Sequence, residues 1–331
     1  MLRPAVQEQQ RLALAGLGDV EAEAASGLKP MANAINLWHF VGHGGGVMLA
    51  TVRDPAAIVS VRLTGALPTF VIVGSQKCGT TALHSYLARH PQVSMSRPKE
   101  LDFFVAETNW KKGVDWYTQR WNGPEKPVRG ESSPNYTAYP VLKGVPERMA
   151  ALIPDAKLIF MVRDPIDRVR AGYLHRYANR AEDRPMREAV LAPGQTFLSR
   201  SRYYLQLTQF LEHYPMDRIL LIEQDELLND RRRTLERVFA FLGADPDVWR
   251  PSFNEPRLET ATRGRRTRLG VLGKRLPPRI WRKLKHHRLF AKPYEKPELD
   301  DSLRAELEDI LRDDVAAFRE LTGRRFETWS V

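Results

Sequence analysis

Three short apolar runs punctuate the middle of the chain. Phe70-Val71-Ile72-Val73 ends at Gly74, Lys157-Leu158-Ile159-Phe160-Met161-Val162 runs into Arg163, and Arg218-Ile219-Leu220-Leu221-Ile222-Glu223 follows later. Continuous apolar runs of this length, bounded by turn or charged residues, predict strands buried on both faces. Helical periods lie between and after them. One covers Thr81 to His90 and is stopped by Pro91, and another covers Thr234 to Leu242 with Gly243 as its stop. The last carries Leu303, Leu307, Ile310, Leu311, Val315, Phe318 and Leu321 on one face and ends at Gly323. Strands alternating with helices predict an α/β fold, a central parallel sheet flanked by helices. No internal repeat is visible.

The α/β pattern starts at Pro68, which predicts a single domain over 67–331 preceded by an appendage, 1–66. The appendage has Gln/Glu/Ala-rich helical character to about Gly27 and a glycine cluster, Gly42-His43-Gly44-Gly45-Gly46, that predicts a loop. It carries no motif and is assigned no role. The single cysteine, Cys78, excludes an internal disulfide framework and a structural zinc site built from several cysteines. No apolar run approaches the ~18–20 residues of a membrane span, and the first residues lack the basic flank and apolar run of a signal peptide. The expectation is a cytoplasmic protein.

The strongest chemical signal is Gly74-Ser75-Gln76-Lys77-Cys78-Gly79-Thr80-Thr81, set between a predicted strand and a predicted helix. Glycines let successive N–H groups turn inward, and a helix N-terminus adds positive potential, so the segment predicts an anion cradle. Its spacing approaches the nucleotide-binding pattern GxxxxGK[ST], but Thr80 stands where the lysine belongs and the lysine is Lys77, inside the turn. The fold is therefore P-loop-like. A nucleotide kinase or ATPase is the alternative reading. Against it, the strand 157–162 delivers an arginine, Arg163, where an ATPase presents a magnesium-binding carboxylate. A guanidinium suits a phosphate, while Asp164 keeps a metal ligand open.

At this point the sequence resembles the sulfotransferases that use 3′-phosphoadenosine-5′-phosphosulfate (PAPS), most closely the heparan sulfate N- and 3-O-sulfotransferases and their bacterial relatives. Phe70–Thr81 resembles their 5′-phosphosulfate loop, and Lys157–Tyr173 their 3′-phosphate strand and helix. Supporting segments occur in the family's order: Lys99-Glu100-Leu101-Asp102-Phe103-Phe104, Gly113-Val114-Asp115-Trp116-Tyr117, Glu131-Ser132-Ser133-Pro134-Asn135-Tyr136 and Phe241-Leu242-Gly243. The resemblance implies sulfuryl transfer from PAPS to a hydroxyl or amine of a carbohydrate, glycolipid or small metabolite, with release of 3′-phosphoadenosine-5′-phosphate and no metal.

Transfer of this kind rests on positioning and charge stabilisation. Lys77 is placed to neutralise the leaving phosphate, with the N–H groups of Gly79, Thr80 and Thr81 around its oxygens. The resemblance implies that Arg163 takes the 3′-phosphate, that Tyr203 stands near the nucleotide and that Glu100 is the general base. Beside Leu101 and an aromatic pair, Glu100 is expected to be partly desolvated, which raises its proton affinity. Asp102 competes for the role, because an extended chain would put it on the same face. Two departures from the family stand out: Ala171 replaces a serine that faces the 3′-phosphate, with Arg170 or another basic group to compensate, and Ser132 stands where heparan enzymes often carry lysine. Cys78 is read as structural and His175 as a packing histidine. Trp110, Trp116 and Trp121 are candidates to stack on a sugar, with Trp116 also suited to the core.

The chain has 51 Lys+Arg against 40 Asp+Glu, a net of +11. Residues 257–292 alone hold thirteen Lys/Arg and one acid, Glu259, a local net of +12, which leaves the other 295 residues at −1. Within this segment Arg263 and Arg265 fall where the family places a loop over the nucleotide, so both are expected on PAPS phosphates. From Arg279 onward the run admits a solvated face, an anionic acceptor or an acidic membrane surface. Nucleic acid is not an expected partner, since no recognition motif accompanies the charge.

Overall fold

The computed structural model describes the backbone of residues 38–40, 47–51 and 58–62. Beyond these it describes residues 65–121, 123–255, 264–273, 276, 280, 281, 284 and 287–331. The first three segments are strands β1 (Trp38–Phe40), β2 (Val47–Thr51) and β3 (Ile58–Arg62), joined antiparallel as a three-stranded sheet in that order. The glycine cluster 42–46 falls between β1 and β2, outside the described residues, as do the helical text before Gly27 and Arg263.

The main sheet has five parallel strands in the order β5-β6-β4-β7-β8: β4 (Phe70–Gly74), β5 (Val93–Met95), β6 (Val128–Ser132), β7 (Lys157–Val162) and β8 (Ile219–Glu223). The three apolar runs form β4, β7 and β8, the central strand and one side of the sheet. β5 and β6 escape pattern reading because they are short and, in β6, polar. Val128-Arg129-Gly130-Glu131-Ser132 belongs in the sheet for a packing reason: a Cβ on Gly130 would stand 2.1 Å from the Phe70 ring. Only glycine lets β6 close on β4.

The chain builds β5 and β6 on one side of β4 and then crosses to build β7 and β8 on the other. That change of direction falls between β4 and β7, and open parallel sheets bind ligands beyond the carboxyl ends of the strands at such a point. Helices flank the sheet. The one after β4, α1 (Thr80–Leu87), ends three residues before the expected His90. Helix α2 (Pro165–Ala178) follows β7, and α3 (Tyr203–Leu211) precedes β8. Helix α4 (Arg231–Leu242) ends at Gly243, and α5 (Asp301–Thr322) at Gly323. The predicted apolar face of α5 buries Leu303, Leu307, Leu311, Val315 and Phe318, each contributing about 1.5–3 kcal/mol. Leu321 instead stays exposed on the last turn.

Candidate active site

The segment predicted to cradle an anion is a tight turn at the end of the central strand. The Ser75 N–H donates to the Met161 carbonyl (2.7 Å) and the Cys78 N–H to the Ser75 carbonyl (3.2 Å), so the turn is tied to both β7 and itself. Gly79 takes φ 91° at the start of α1, a left-handed conformation that favours glycine. No side chain caps this helix, so its first-turn N–H groups have no side-chain acceptor.

Arg163 is the first residue beyond β7, and its Nη1 reaches the Lys77 carbonyl at 3.5 Å. Its Nη2 pairs with Asp167 at 2.9 Å, one turn along α2, so the guanidinium is oriented rather than loose. Asp164 is engaged as a cap. Its Oδ1 accepts from the Asp167 N–H (2.8 Å), and its Oδ2 from the Ser330 N–H (2.5 Å) and hydroxyl (2.7 Å).

Tyr203 is fully buried beneath the turn. Its hydroxyl accepts from the Arg163 N–H at 3.4 Å and stands 3.5 Å from Cys78 Sγ. It supports the cradle from below. Cys78 is buried as well, and burial pushes its thiol up, in keeping with a structural role.

The turn 99–102 hangs beside the cradle. The Glu100 N–H donates to the Ser132 carbonyl at the end of β6 (3.0 Å), while the Ser133 N–H donates to Ile72 in β4 (3.1 Å). The desolvation expected for Glu100 is corrected here: its side chain is 49 % exposed and pairs with Lys99 at 2.5 Å. The burial falls on Asp102, whose carboxyl it pushes up. The extended chain is also corrected, since Glu100 takes φ 65° and Asp102 φ 45°. These turns send Phe103 and Phe104 into the core and leave Glu100 outside. Lys77 has φ 74°, so three of the five non-glycine positive-φ residues among those described sit in the two turns of this site. Strain of this kind gathers where a fold holds functional groups in set positions.

Arg265 is not brought to the cradle. Its guanidinium lies 3.8 Å over the Tyr177 ring and pairs with Asp183, beyond the C-terminal half of α2. Ala171 is half-buried on the same helix. The half-buried Trp110 and Trp116 pack on Phe103, and the buried Trp121 on Tyr117.

Sequence reading missed a buried polar chain behind Glu100. Arg200, 7 % exposed, donates from Nη2 to Asn135 Oδ1 (2.8 Å), and Asn135 Nδ2 donates to Asp102 Oδ2 (2.8 Å). Arg200 Nε and Nη1 and Asp102 Oδ1 are sealed from solvent without a hydrogen-bond partner. Burial, with the Arg168 charge, brings the Arg200 guanidinium down to about 10. Nearby, burial with Lys99 and Arg97 brings His84 down to about 4, so it is neutral at neutral pH.

Comparison with known proteins agrees with this geometry. The profile of the sulfotransferase domain family matches residues 67–269. The chain belongs to the sulfotransferase domain family. It is 33 % identical over 198 residues to the human bifunctional heparan sulfate N-deacetylase/N-sulfotransferase 2, covering 54 % of this chain and 22 % of that protein. It is 31 % identical over 178 residues to the corresponding enzyme 1 of Caenorhabditis elegans, covering 49 % and 20 %. The chain thus spans about a fifth of the length of these curated relatives. A sulfotransferase structure from Alicyclobacillus acidocaldarius superposes with a TM-score of 0.60 at 24 % identity, over 80 % of this chain and all of that one, which shows the shared fold.

Proposed function

We propose that the protein is a sulfotransferase that moves a sulfuryl group from PAPS to a hydroxyl or amine of a carbohydrate acceptor. The observation that carries this reading is the pairing of two anion sites on neighbouring strands. An uncapped helix N-terminus with Lys77 follows β4, and Arg163 follows β7 against the Lys77 carbonyl. Two such sites suit a donor phosphorylated at both 5′ and 3′ positions. The carbohydrate class is supported by the heparan sulfate relatives.

PAPS, when bound, supplies a sulfuryl group already activated on a phosphate. Lys77 and the N–H groups of Gly79, Thr80 and Thr81 hold the 5′ end and neutralise negative charge on the departing phosphate oxygen. Arg163, steadied by Asp167, takes the 3′-phosphate. Glu100, with its side chain half exposed, accepts the proton that the acceptor hydroxyl or amine gives up as its new bond to sulfur forms. Tyr203 holds the Arg163 backbone from below. Ser132, in place of the lysine often present in heparan enzymes, argues against simply copying the heparan acceptor in every detail.

Calorimetric titration with 3′-phosphoadenosine-5′-phosphate and with magnesium ATP tests the donor. Preference for the bisphosphate is expected, and preference for ATP would restore the kinase reading. Transfer of label from sulfur-35 PAPS to glucosamine- and uronate-containing oligosaccharides then tests the acceptor class. Label on none of them overturns that part.

A further inference from the structure

Eleven large apolar side chains are exposed among the described residues, and six of them fall between Leu269 and Leu289. Leu269, Leu272 and Leu289 are each 57 % exposed and Ile280 is 48 % exposed, with Val271 and Leu276 beside them. The other five are scattered from Val141 to Leu321.

This cluster belongs to an excursion closed at its base by a two-residue antiparallel ribbon, β9 (Arg265–Arg266) against β10 (Ala291–Lys292). The excursion has an interior of its own. Trp281 and Phe290 meet edge-on with centroids 5.9 Å apart, and the Arg266 guanidinium stands 5.2 Å over the Trp281 ring. The Thr267 N–H donates to the Phe290 carbonyl (3.1 Å) and its hydroxyl to the Leu289 carbonyl (2.5 Å). The half-buried aromatic pair packs together while Leu269, Leu272 and Leu289 stay exposed. Exposed apolar side chains concentrated in one short stretch of the chain mark an interaction surface.

The partner must take both the leucines and the charge, a net of +12 over residues 257–292. A soluble polyanion, whether nucleic acid or an acidic polysaccharide, would pair the cations but leave the leucines in water. An apolar protein groove would cover the leucines but strand the cations. An anionic bilayer serves both: leucines enter the boundary between headgroups and acyl chains, while lysine and arginine reach the headgroups on flexible stems. No described helix is long and apolar enough to cross a membrane. We propose that the excursion 265–292 docks the protein peripherally on an anionic lipid surface, with Leu269, Leu272, Ile280 and Leu289 as the inserting side chains.

Vesicle co-sedimentation of the full chain, without nucleotide, tests this independently of the sulfotransferase reading. Binding is expected to vesicles containing about 30 % phosphatidylserine in phosphatidylcholine, not to phosphatidylcholine alone. It should weaken as salt rises from about 0.1 to 0.5 M. The triple variant Leu269→Ser, Leu272→Ser, Leu289→Ser should bind at least about ten-fold more weakly at an unchanged Tm. If its Tm falls, the single variants Leu269→Ser and Leu289→Ser are read in the same assay, each losing about three-fold. Failure to sediment with the anionic vesicles overturns the proposal. So does equal binding to neutral ones, or serine variants that bind as the wild type does.

Discussion

Lys77 and Arg163 are legible in the sequence because each is defined by its place after a strand. Glu100 is legible only through family resemblance, since the physical argument for it, desolvation beside aromatics, describes Asp102 instead. Glu100→Gln is expected to keep affinity for 3′-phosphoadenosine-5′-phosphate and lower kcat by ~10²–10⁴, read by calorimetry and steady-state transfer. Unchanged kcat would remove it as the base. Arg163→Ala should weaken binding of the bisphosphate by roughly ten- to hundred-fold, the loss of a charge-assisted contact, with less effect on adenosine-5′-phosphate. Arg200 is invisible in Leu198-Ser199-Arg200-Ser201-Arg202, where nothing local separates the buried arginine from its half-buried neighbour. Arg200→Ala leaves Asn135 Oδ1 without its donor, and the expected cost is about 1–3 kcal/mol in denaturant melts, with partial recovery in Arg200→Lys.

At the scale of elements, apolar runs and stop residues identify the strands that are buried on both faces and the helices that end on glycine. They miss β6, whose membership depends on a cross-strand contact. Gly130→Ala should therefore destabilise the fold by about 1–3 kcal/mol, because the new methyl group has nowhere to go but the Phe70 ring. A loss under a few tenths of a kcal/mol in urea melts would show that β6 and β4 are not held this closely. The same strand carries Glu131, fully buried, with neither carboxyl oxygen in hydrogen-bond geometry. Burial pushes that carboxyl up to about 8, against a lesser downward pull from the Tyr136 and Tyr117 hydroxyls.

That buried acid has a consequence for the whole molecule. The folded state keeps the Glu131 proton to about pH 8, while the unfolded chain releases it near 4.5. Stability from this group is complete below the lower value and is lost as pH rises to the upper one, on the order of a few kcal/mol. Tm of the wild type is expected to fall across this window, and Glu131→Gln should flatten the slope. An identical slope in the variant would assign the dependence elsewhere. Charge is also a whole-molecule property with a local cause: the body of the chain is nearly neutral, and its surplus sits in one excursion.

The α/β class, the glycine turn after β4, the arginine after β7 and the location of the positive charge are all readable along the chain. Each of these depends on neighbours along the chain: a run of apolar residues, a glycine at a turn, a residue one step past a strand. Contacts between distant segments set the rest: Glu100 is exposed while Asp102 is half-buried with Oδ1 cut off from solvent, Arg200 and Asn135 stand behind them, and Arg265 lies on Tyr177. They also leave the leucines of the basic excursion exposed. Burial, and the fate of a charge or a methyl group within it, is set by what other segments bring alongside, and one strand's pattern does not contain that information.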